Sequence, residues 1–109
     1  MDIRFKQWLE DNTKILLTKG IITDNIINDG QESDNPSTRV DHITDNCLGR
    51  ITVWKSGDMV IEVLDIETCD TIMFKNYDLK GNNDFNDYLV EYFEILTNTN
   101  SDKEISNSK

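Results

Sequence analysis

The stretch of residues 38–77 constrains the fold more than any other part of the chain. Apolar and polar residues alternate along it with the two-residue period of half-buried β-strands. Residues that favour tight turns interrupt the alternation at three points, namely Asp45-Asn46, Lys55-Ser56-Gly57 and Thr68-Cys69. The pattern predicts four short antiparallel strands joined by three tight turns.

The chemistry of these turns predicts how the strands pair, because the loop of a hairpin fixes its register. Gly57 suits the left-handed position of a three-residue loop, and Asp45 and Asn46 both tolerate positive φ in a two-residue turn. We centre the last turn on Thr68-Cys69. The predicted pairs are Val40–Ile51, Asp41–Arg50 and His42–Gly49, then Val53–Met59, Ile51–Ile61, Arg50–Glu62 and Gly49–Val63, then Val63–Phe74, Leu64–Met73 and Glu62–Lys75.

The three registers agree on what each face of the sheet carries. Apolar residues share one face, namely Val40, Ile51, Val53, Met59, Ile61, Val63 and Phe74. The other face carries a charge row of alternating sign, formed by Asp41, Arg50, Glu62 and Lys75. Beside the charge row lies an apolar row of Ile43, Leu48, Leu64 and Met73, with Trp54 further along the same side. A slip of one residue would turn every side chain of a strand to the opposite face.

Two helices are predicted to flank the strands. Apolar residues at helical spacing predict the first over residues 2–19, and a cation followed by glycine at Lys19-Gly20 ends it. The second is predicted from residue 85 to about Leu96 by a stripe of Phe85, Leu89, Tyr92, Phe93 and Leu96. The β-branched residues between 21 and 27 predict an added edge strand.

These elements predict a two-layer α+β fold, with an antiparallel β-meander of four to five strands flanked by an N-terminal and a C-terminal helix. Both helices are expected against the face that bears Val40, Ile51 and Ile61. We expect a single domain over residues 1–97. Residues 98–109 are polar apart from Ile105, so we expect a disordered tail there.

The negative charge of the chain limits the classes of molecule that it is expected to bind. Its 109 residues include 21 acidic and 11 basic side chains, which gives a net charge of −10. This excess argues against direct binding to nucleic acid or to an anionic membrane, and it favours a basic protein partner. The alternative explanation is that the acidity only keeps the protein soluble.

The sequence predicts a cytoplasmic protein. The first residues are not followed by the apolar stretch of a signal peptide, and no run approaches the ~18 apolar residues of a membrane span. Without an export signal, Cys47 and Cys69 are expected to be reduced thiols.

Catalytic chemistry has little support in the sequence. His42 is the one histidine, and the register places it opposite Gly49, whose missing side chain leaves room for a buried, hydrogen-bonded imidazole. Motifs that bind phosphate, dinucleotides or zinc are missing, and Asp65, Glu67 and Asp70 lack the ligand spacing of a calcium loop. We therefore expect no catalytic residue, no metal site and no cofactor.

A protein-binding surface is the function that the register itself suggests. If both helices cover one face, the apolar row and Trp54 are exposed on the other, and an apolar patch rimmed by charge is typical of an interface. The predicted contact residues are Trp54, Asp58, Glu62 and Leu64. The alternative is that the loop of residues 28–37, or a homodimer, covers this patch.

Three runs of the sequence also carry a family resemblance. They are NPSTRVD at residues 35–41, GRITVWKSG at residues 49–57 and IEVLDIET at residues 61–68. Together they resemble the TriTu family of immunity proteins from bacterial polymorphic toxin systems, over about residues 35–96 and more loosely in the first helix. In that family a glycine follows the threonine of the last turn, where this chain has Cys69.

The resemblance implies a small cytoplasmic protein that binds a cognate toxin domain and blocks it, with no catalytic residue and no cofactor. Many such toxins are nucleases with basic clefts, which suits an acidic inhibitor. The alternative function is an acidic secretion chaperone that binds a segment of a client protein and forms a dimer. It is disfavoured because no helix interrupts the predicted strands. The sequence leaves open whether the protein is a monomer or a homodimer.

Overall fold

A computed structural model describes residues 2–79 and 85–108, with side chains described at residues 4–79 and 85–97. The strands pair antiparallel in chain order, β1-β2-β3-β4-β5, in one five-stranded sheet. Its elements are α1 Asp2–Thr18, β1 Ile22–Asp29, β2 Ser37–Ile43, β3 Cys47–Trp54, β4 Asp58–Asp65, β5 Thr71–Asp78 and α2 Phe85–Ser108.

Helix α1 forms where the sequence predicts it, because its apolar stripe is buried and its end is capped. Gly20 has a φ of 81°, and Ile21 N donates to Leu16 O at 3.0 Å while Gly20 N donates to Leu17 O. This pair of bonds is the Schellman motif that glycine favours at a helix end. The buried residues of the stripe are Phe5, Trp8, Leu9 and Leu16.

Both helices pack on the same face of the sheet, which confirms the two-layer α+β architecture. Helix α1 contacts β1, β2 and β3, and α2 contacts β3 and β4. Aromatic rings join the two helices: the Phe5 and Phe85 centroids are 5.5 Å apart, and those of Trp8 and Phe93 are 5.8 Å apart. The predicted edge strand is β1.

Helix α2 continues beyond Leu96, so the predicted end of this helix is wrong. Its apolar stripe is buried as far as Leu96, and Thr97 Oγ1 then donates to Phe93 O at 2.8 Å. Polar residues such as Asn, Ser and Thr weaken a helix by less than ~1 kcal/mol each, so the loss of an apolar stripe does not end it. The division into a domain of residues 1–97 and a disordered tail of residues 98–109 stays a prediction.

The pairing of β2, β3 and β4 agrees with the register that the turns predict. Gly57 has a φ of 100°, and its N donates to Trp54 O at 2.9 Å, which closes the predicted three-residue loop. The confirmed pairs include Val40–Ile51, Asp41–Arg50, His42–Gly49, Arg50–Glu62, Ile51–Ile61 and Val53–Met59.

The turn between β2 and β3 lies at Asp45-Asn46 as predicted, but not for the predicted reason. Thr44 N donates to Cys47 O at 3.0 Å, which leaves two residues in the turn. Neither of them adopts a positive φ; in the described part of the chain, Cys69 is the non-glycine residue that does. The turn therefore fixes the register without the left-handed backbone that we expected.

The predicted register of β4 and β5 is wrong by one residue at Glu62 and Val63 and by two residues at Leu64. A β-bulge interrupts the pairing between Val63 and Leu64. The observed pairs are Glu62–Phe74, Val63–Met73 and Leu64–Thr71, in place of the predicted Glu62–Lys75, Val63–Phe74 and Leu64–Met73.

The loop between β4 and β5 explains this difference, because it is longer than a two-residue turn. Asp65 N donates to Asp70 O at 2.9 Å, and Cys69 N donates to Asp65 O at 2.8 Å. The Asp65 side chain holds the loop as well, since its Oδ1 accepts from Glu67 N and Thr68 N. Cys69 has a φ of 64°, in the left-handed region that favours glycine.

The shift exchanges the two faces of β5. Met73, expected in the outer apolar row, is buried in the core, whereas Phe74, expected in the core, is 58% exposed on the opposite face. Lys75, expected in the outer charge row, lies on the helix side, where its Nζ donates to Glu91 Oε1 of α2. These three placements correct the predicted composition of both faces.

The expected buried histidine is confirmed, and a tyrosine fills the space beside it. His42 is fully buried, and its Nδ1 shares a hydrogen bond of 2.8 Å with Tyr92 Oη. A Cβ added at Gly49 would lie 2.8 Å from Cζ of Tyr92, so the missing side chain makes room for the phenol. Burial lowers the pKa of His42 to about 4, although the Asp41 carboxylate acts in the opposite direction. The imidazole is therefore a neutral core group at pH 7.

We predict that replacing Cys69 with glycine stabilises the protein by about 1 kcal/mol, because a left-handed backbone is strained at a residue that has a Cβ. The measurement is the urea midpoint of unfolding in reducing buffer. Cys69→Ala removes the thiol but keeps the Cβ, so it should gain little. Equal gains from the two variants would contradict the strain at this position.

We predict that the neutral state of His42 makes the protein less stable as the pH falls. The folded pKa lies below the unfolded value of 6.5, so the contribution is complete above pH 6.5 and is lost as the pH falls towards 4. The loss should total about 3 kcal/mol, with a slope of up to about 1.4 kcal/mol per pH unit. Urea unfolding from pH 4 to 8 measures it, with His42→Asn as the control. Parallel pH profiles for the two proteins would contradict the prediction.

Candidate functional site

One side of the sheet is covered by neither of the two described helices, and we call it the open face. Residues of β2, β3 and β4 alternate between buried and half-buried positions. The buried set includes His42 and Gly49, which both contact Tyr92 of α2. The half-buried set therefore points away from the helices. It comprises the odd-numbered residues of β2 and the even-numbered residues of β3 and β4, and their partners on β5, Phe74, Asn76 and Asp78, share its side.

All four predicted contact residues lie on the open face. Trp54 ends β3, and Asp58, Glu62 and Leu64 occupy even positions along β4. Asp58 is exposed, and the other three are half-buried. At ~3.4 Å per residue, Asp58 and Leu64 are about 20 Å apart along the strand. The structure thus brings the four residues onto one surface, and their role in binding stays a prediction.

An ion pair anchors the charge row of the open face. Arg50 Nε donates to Asp41 Oδ1 at 2.7 Å, and Arg50 Nη2 donates to Asp41 Oδ2 at 3.3 Å. This hydrogen bond raises the pKa of Arg50, and the negative charge of Glu62 on the next strand adds to the effect. The row therefore holds a fixed cation with a carboxylate on each side.

The row ends in an aromatic residue rather than in the predicted cation. Phe74 is the cross-strand partner of Glu62, at the position where we expected Lys75. The end of the charge row on β5 is therefore an exposed aromatic ring beside the Glu62 carboxylate, and it carries no charge of its own. It also extends the apolar part of the open face onto β5.

The apolar row survives without its residue on β5. Ile43, Leu48 and Leu64 lie on the open face as predicted, whereas Met73 is buried on the other side. Between this row and the charge row, Leu48, Arg50, Glu62 and Leu64 line a hollow of about 80 Å³.

Trp54 lies between two concavities that are both larger than this hollow. The first, of about 530 Å³, lies between the β3–β4 turn and β5, and we call it the Trp54 groove. Its lining includes Asn35, Asp58, Asn76 and Asp78. The second, of about 290 Å³, extends across the middle of the open face and is also bordered by Glu62. The indole therefore borders both of these hollows.

The loop of residues 28–37, the alternative cover for the apolar patch, is held by hydrogen bonds at one end of the sheet. Asn35 Oδ1 accepts from Ser56 N at 2.8 Å, and Lys55 N donates to Pro36 O at 2.9 Å. These bonds hold the loop against the β3–β4 turn, next to the Trp54 groove, and the apolar row lies at the opposite end of the strands. Cover by a homodimer stays a prediction.

Sequence reasoning missed the contribution of β5 to the open face. Phe74 was predicted in the core, and no face was predicted for Asn76 and Asp78, because the pairing of β4 with β5 was predicted in the wrong register. A signal was present in the sequence: Cys69 stands where the resembling family has glycine, and such a position indicates a left-handed residue and a longer loop.

The described part of the chain shows neither a metal site nor a helix that could span a membrane. Among the side chains described at residues 4–79 and 85–97, no group of three or more His, Cys, Asp or Glu is placed to hold a metal ion. Among the helices described there, none is long and apolar enough to cross a membrane. Cys47 is buried and Cys69 is exposed, and both are free thiols.

Comparison with known proteins identifies a family. A search of curated proteins gives no match. The sequence pattern of the family described as "Immunity protein TriTu" matches residues 4–95. This match covers most of α1, all five strands and the first part of α2. The chain belongs to the TriTu family of immunity proteins.

Proposed function

We propose that this immunity protein neutralises a cognate bacterial toxin domain by holding it against the open face. Trp54, Asp58, Glu62 and Leu64 are among the proposed contacts. One observation carries the proposal: a solvent-facing sheet surface on which a half-buried tryptophan and an apolar row flank an ion-paired charge row. Such a mixture of anchors and charges is typical of protein interfaces.

Shape supports the open face over the helix face. On the helix side of the sheet, aromatic rings of α1 and α2 cover the apolar residues of the strands. On the open face, the ring of Phe74 remains exposed. Three hollows lie along this face, and each can receive a side chain of a partner.

Charge supports a basic toxin, such as a nuclease. The chain has a net charge of −10, and a negative potential raises the rate at which a positively charged protein is encountered. A nuclease needs basic residues to hold phosphates, and an acidic inhibitor can mask them. The same charge opposes direct contact with nucleic acid or with an anionic membrane.

The inhibitor we propose acts by occupancy and performs no reaction. It needs no cofactor, and it acts in the cytoplasm, where the toxin would otherwise harm the cell that makes both proteins. It acts as a monomer or a homodimer.

Co-expression with a toxin encoded by a neighbouring gene tests this function. We predict that the protein restores growth and co-purifies with the toxin. Trp54→Ala and Leu64→Asp should each weaken toxin binding at least tenfold, because hot-spot residues at the centre of an interface contribute about 2 kcal/mol or more. Ile15→Ala and Val90→Ala are matched controls, since both residues are about half exposed on the helices.

Two results would contradict the proposal. One is failure to restore growth against any toxin encoded nearby. The other is that Leu64→Asp and Trp54→Ala unfold the protein while the folded fraction binds toxin as tightly as the wild type does, since these residues would then belong to the core. Circular dichroism measures the folded fraction of each variant.

The secretion chaperone remains the competing proposal. Strands β2 to β5 follow one another with no helix between them, which does not favour it. Native mass spectrometry distinguishes the two functions: a stable dimer that binds an unfolded client segment favours the chaperone, and a one-to-one complex with a folded toxin domain favours the inhibitor.

A further inference from the structure

Arg39 of β2 is a half-buried cation of the open face. The second arginine of this face, Arg50, is bonded to Asp41. Among the residues whose side chains are described, none forms a hydrogen bond or an ion pair with the guanidinium of Arg39. A charge that is partly removed from water and has no partner is unfavourable in the free protein. The open face therefore holds a guanidinium whose donors are available.

The carboxylates on either side of Arg39 are bonded to other groups. Asp29 lies on the neighbouring strand β1, and its Oδ1 accepts from Gly30 N at 2.8 Å. Asp41 lies two residues further along β2 and accepts from Arg50 Nε at 2.7 Å and from Arg50 Nη2 at 3.3 Å. The charge of Arg39 is thus left for a partner outside the chain.

Arg39 borders the hollow of about 290 Å³ in the middle of the open face, which we call the central hollow. Thr52 and Val60 line the hollow as well, and they are the successive partners of Arg39 across β3 and β4. A water molecule occupies about 30 Å³ of the liquid, so the hollow has room for a carboxylate and the methylene groups that carry it.

The opposite border of the central hollow carries the opposite charge. Glu62 lines the hollow from β4. The spacing of strands and of residues places the Cα atoms of Arg39 and Glu62 about 12 Å apart, and no ion pair joins their side chains. A partner that fits the hollow must therefore offer an anion on the β2 side and a cation on the β4 side.

We propose that Arg39 binds an acidic side chain of the cognate toxin and that this ion pair distinguishes this toxin from others. The inference rests on the proposed function and adds the position at which an acidic inhibitor requires an acid of its basic partner. A carboxylate matches both the charge and the fork of donors of a guanidinium. A toxin with an apolar or basic side chain at this place would bury Arg39 unpaired, and such a mismatch discriminates against wrong partners.

A role of Arg39 in packing alone makes a different prediction. The methylene groups of an arginine cover apolar neighbours, and Ile27 of β1 is the cross-strand partner of Arg39. Methionine keeps an apolar stem of similar length and removes the charge. Arg39→Met should therefore preserve toxin binding if Arg39 only packs, and it should weaken toxin binding if Arg39 pairs with an acid.

Urea unfolding of the isolated protein tests whether Arg39 is unpaired. Arg39→Met should have a midpoint no lower than that of Lys14→Met, which removes the same charge from an exposed position of α1. Arg50→Met should have a lower midpoint than both, because it breaks an ion pair and leaves Asp41 without its partner. A midpoint of Arg39→Met that falls as far as that of Arg50→Met would overturn the proposal.

Binding of the toxin encoded by the neighbouring gene is the second test. By net charge alone, removing a cation from an inhibitor of charge −10 should strengthen its binding to a basic toxin. We expect the reverse for Arg39→Met, a loss of at least tenfold, with a smaller loss for Arg39→Lys and binding by Lys14→Met at least as tight as half that of wild type. Arg39→Met that binds as tightly as Lys14→Met would overturn the proposal.

Charge reversal identifies the partner residue. Arg39→Glu should lose toxin binding, and one toxin variant in which a single acidic residue is replaced by arginine should restore it. The same toxin variant should bind the wild-type protein poorly. If no acidic position of the toxin restores binding to Arg39→Glu, the toxin has no acid that pairs with Arg39 and the proposal is wrong.

Three outcomes separate this inference from the proposed function. If Leu64→Asp abolishes toxin binding while Arg39→Met binds as wild type, the open face is the interface and the ion pair is wrong. If the isolated protein is a dimer that Arg39→Met dissociates, a second copy fills the central hollow and the ion pair with the toxin is wrong. If the wild-type protein itself binds no toxin, the immunity function fails and this inference fails with it.

Discussion

The three-residue loop that ends at Gly57 fixes the face on which every residue of β3 and β4 lies. Because the side chains of a strand alternate with a period of two, this loop sends Ile51 and Ile61 to the helices and Arg50 and Glu62 to solvent. The position of the helices and the composition of the open face both depend on this register. The helices have one apolar face to cover, and the opposite face is left with charges that pair within the sheet and with side chains that remain available to a partner.

The two faces of the sheet differ in how closely they are packed. On the helix side, packing is so close that the phenol of Tyr92 fits only because Gly49 has no side chain. Burial keeps the imidazole of His42, which is hydrogen-bonded to that phenol, neutral at pH 7. The open face keeps an ion pair of Arg50 and Asp41 together with exposed apolar residues, a combination that gives up some stability in the free protein and becomes favourable when a partner covers it.

The sequence was sufficient for the parts of the fold that local turn chemistry determines. Strands β2, β3 and β4, their register, both helices and the side of the sheet that carries Trp54 followed from alternation and from residues that suit tight turns. The pairing of β5 did not, because a longer loop held by the Asp65 side chain places Cys69 in a left-handed conformation, which a cysteine by itself does not indicate. The partners Tyr92 and Gly49 lie far apart in the chain, and only the folded structure shows that they meet.

The most direct test of the central claim is cross-saturation NMR spectroscopy on the complex of the deuterated, ¹⁵N-labelled protein with an unlabelled cognate toxin. The signal of an amide is attenuated when the toxin lies against it. We predict attenuation along β3, β4 and β5, with the largest effects near Trp54, Glu62 and Leu64, and unchanged signals in α1 and α2. Attenuation confined to the helices, with the strand amides unaffected, would contradict recognition through the open face.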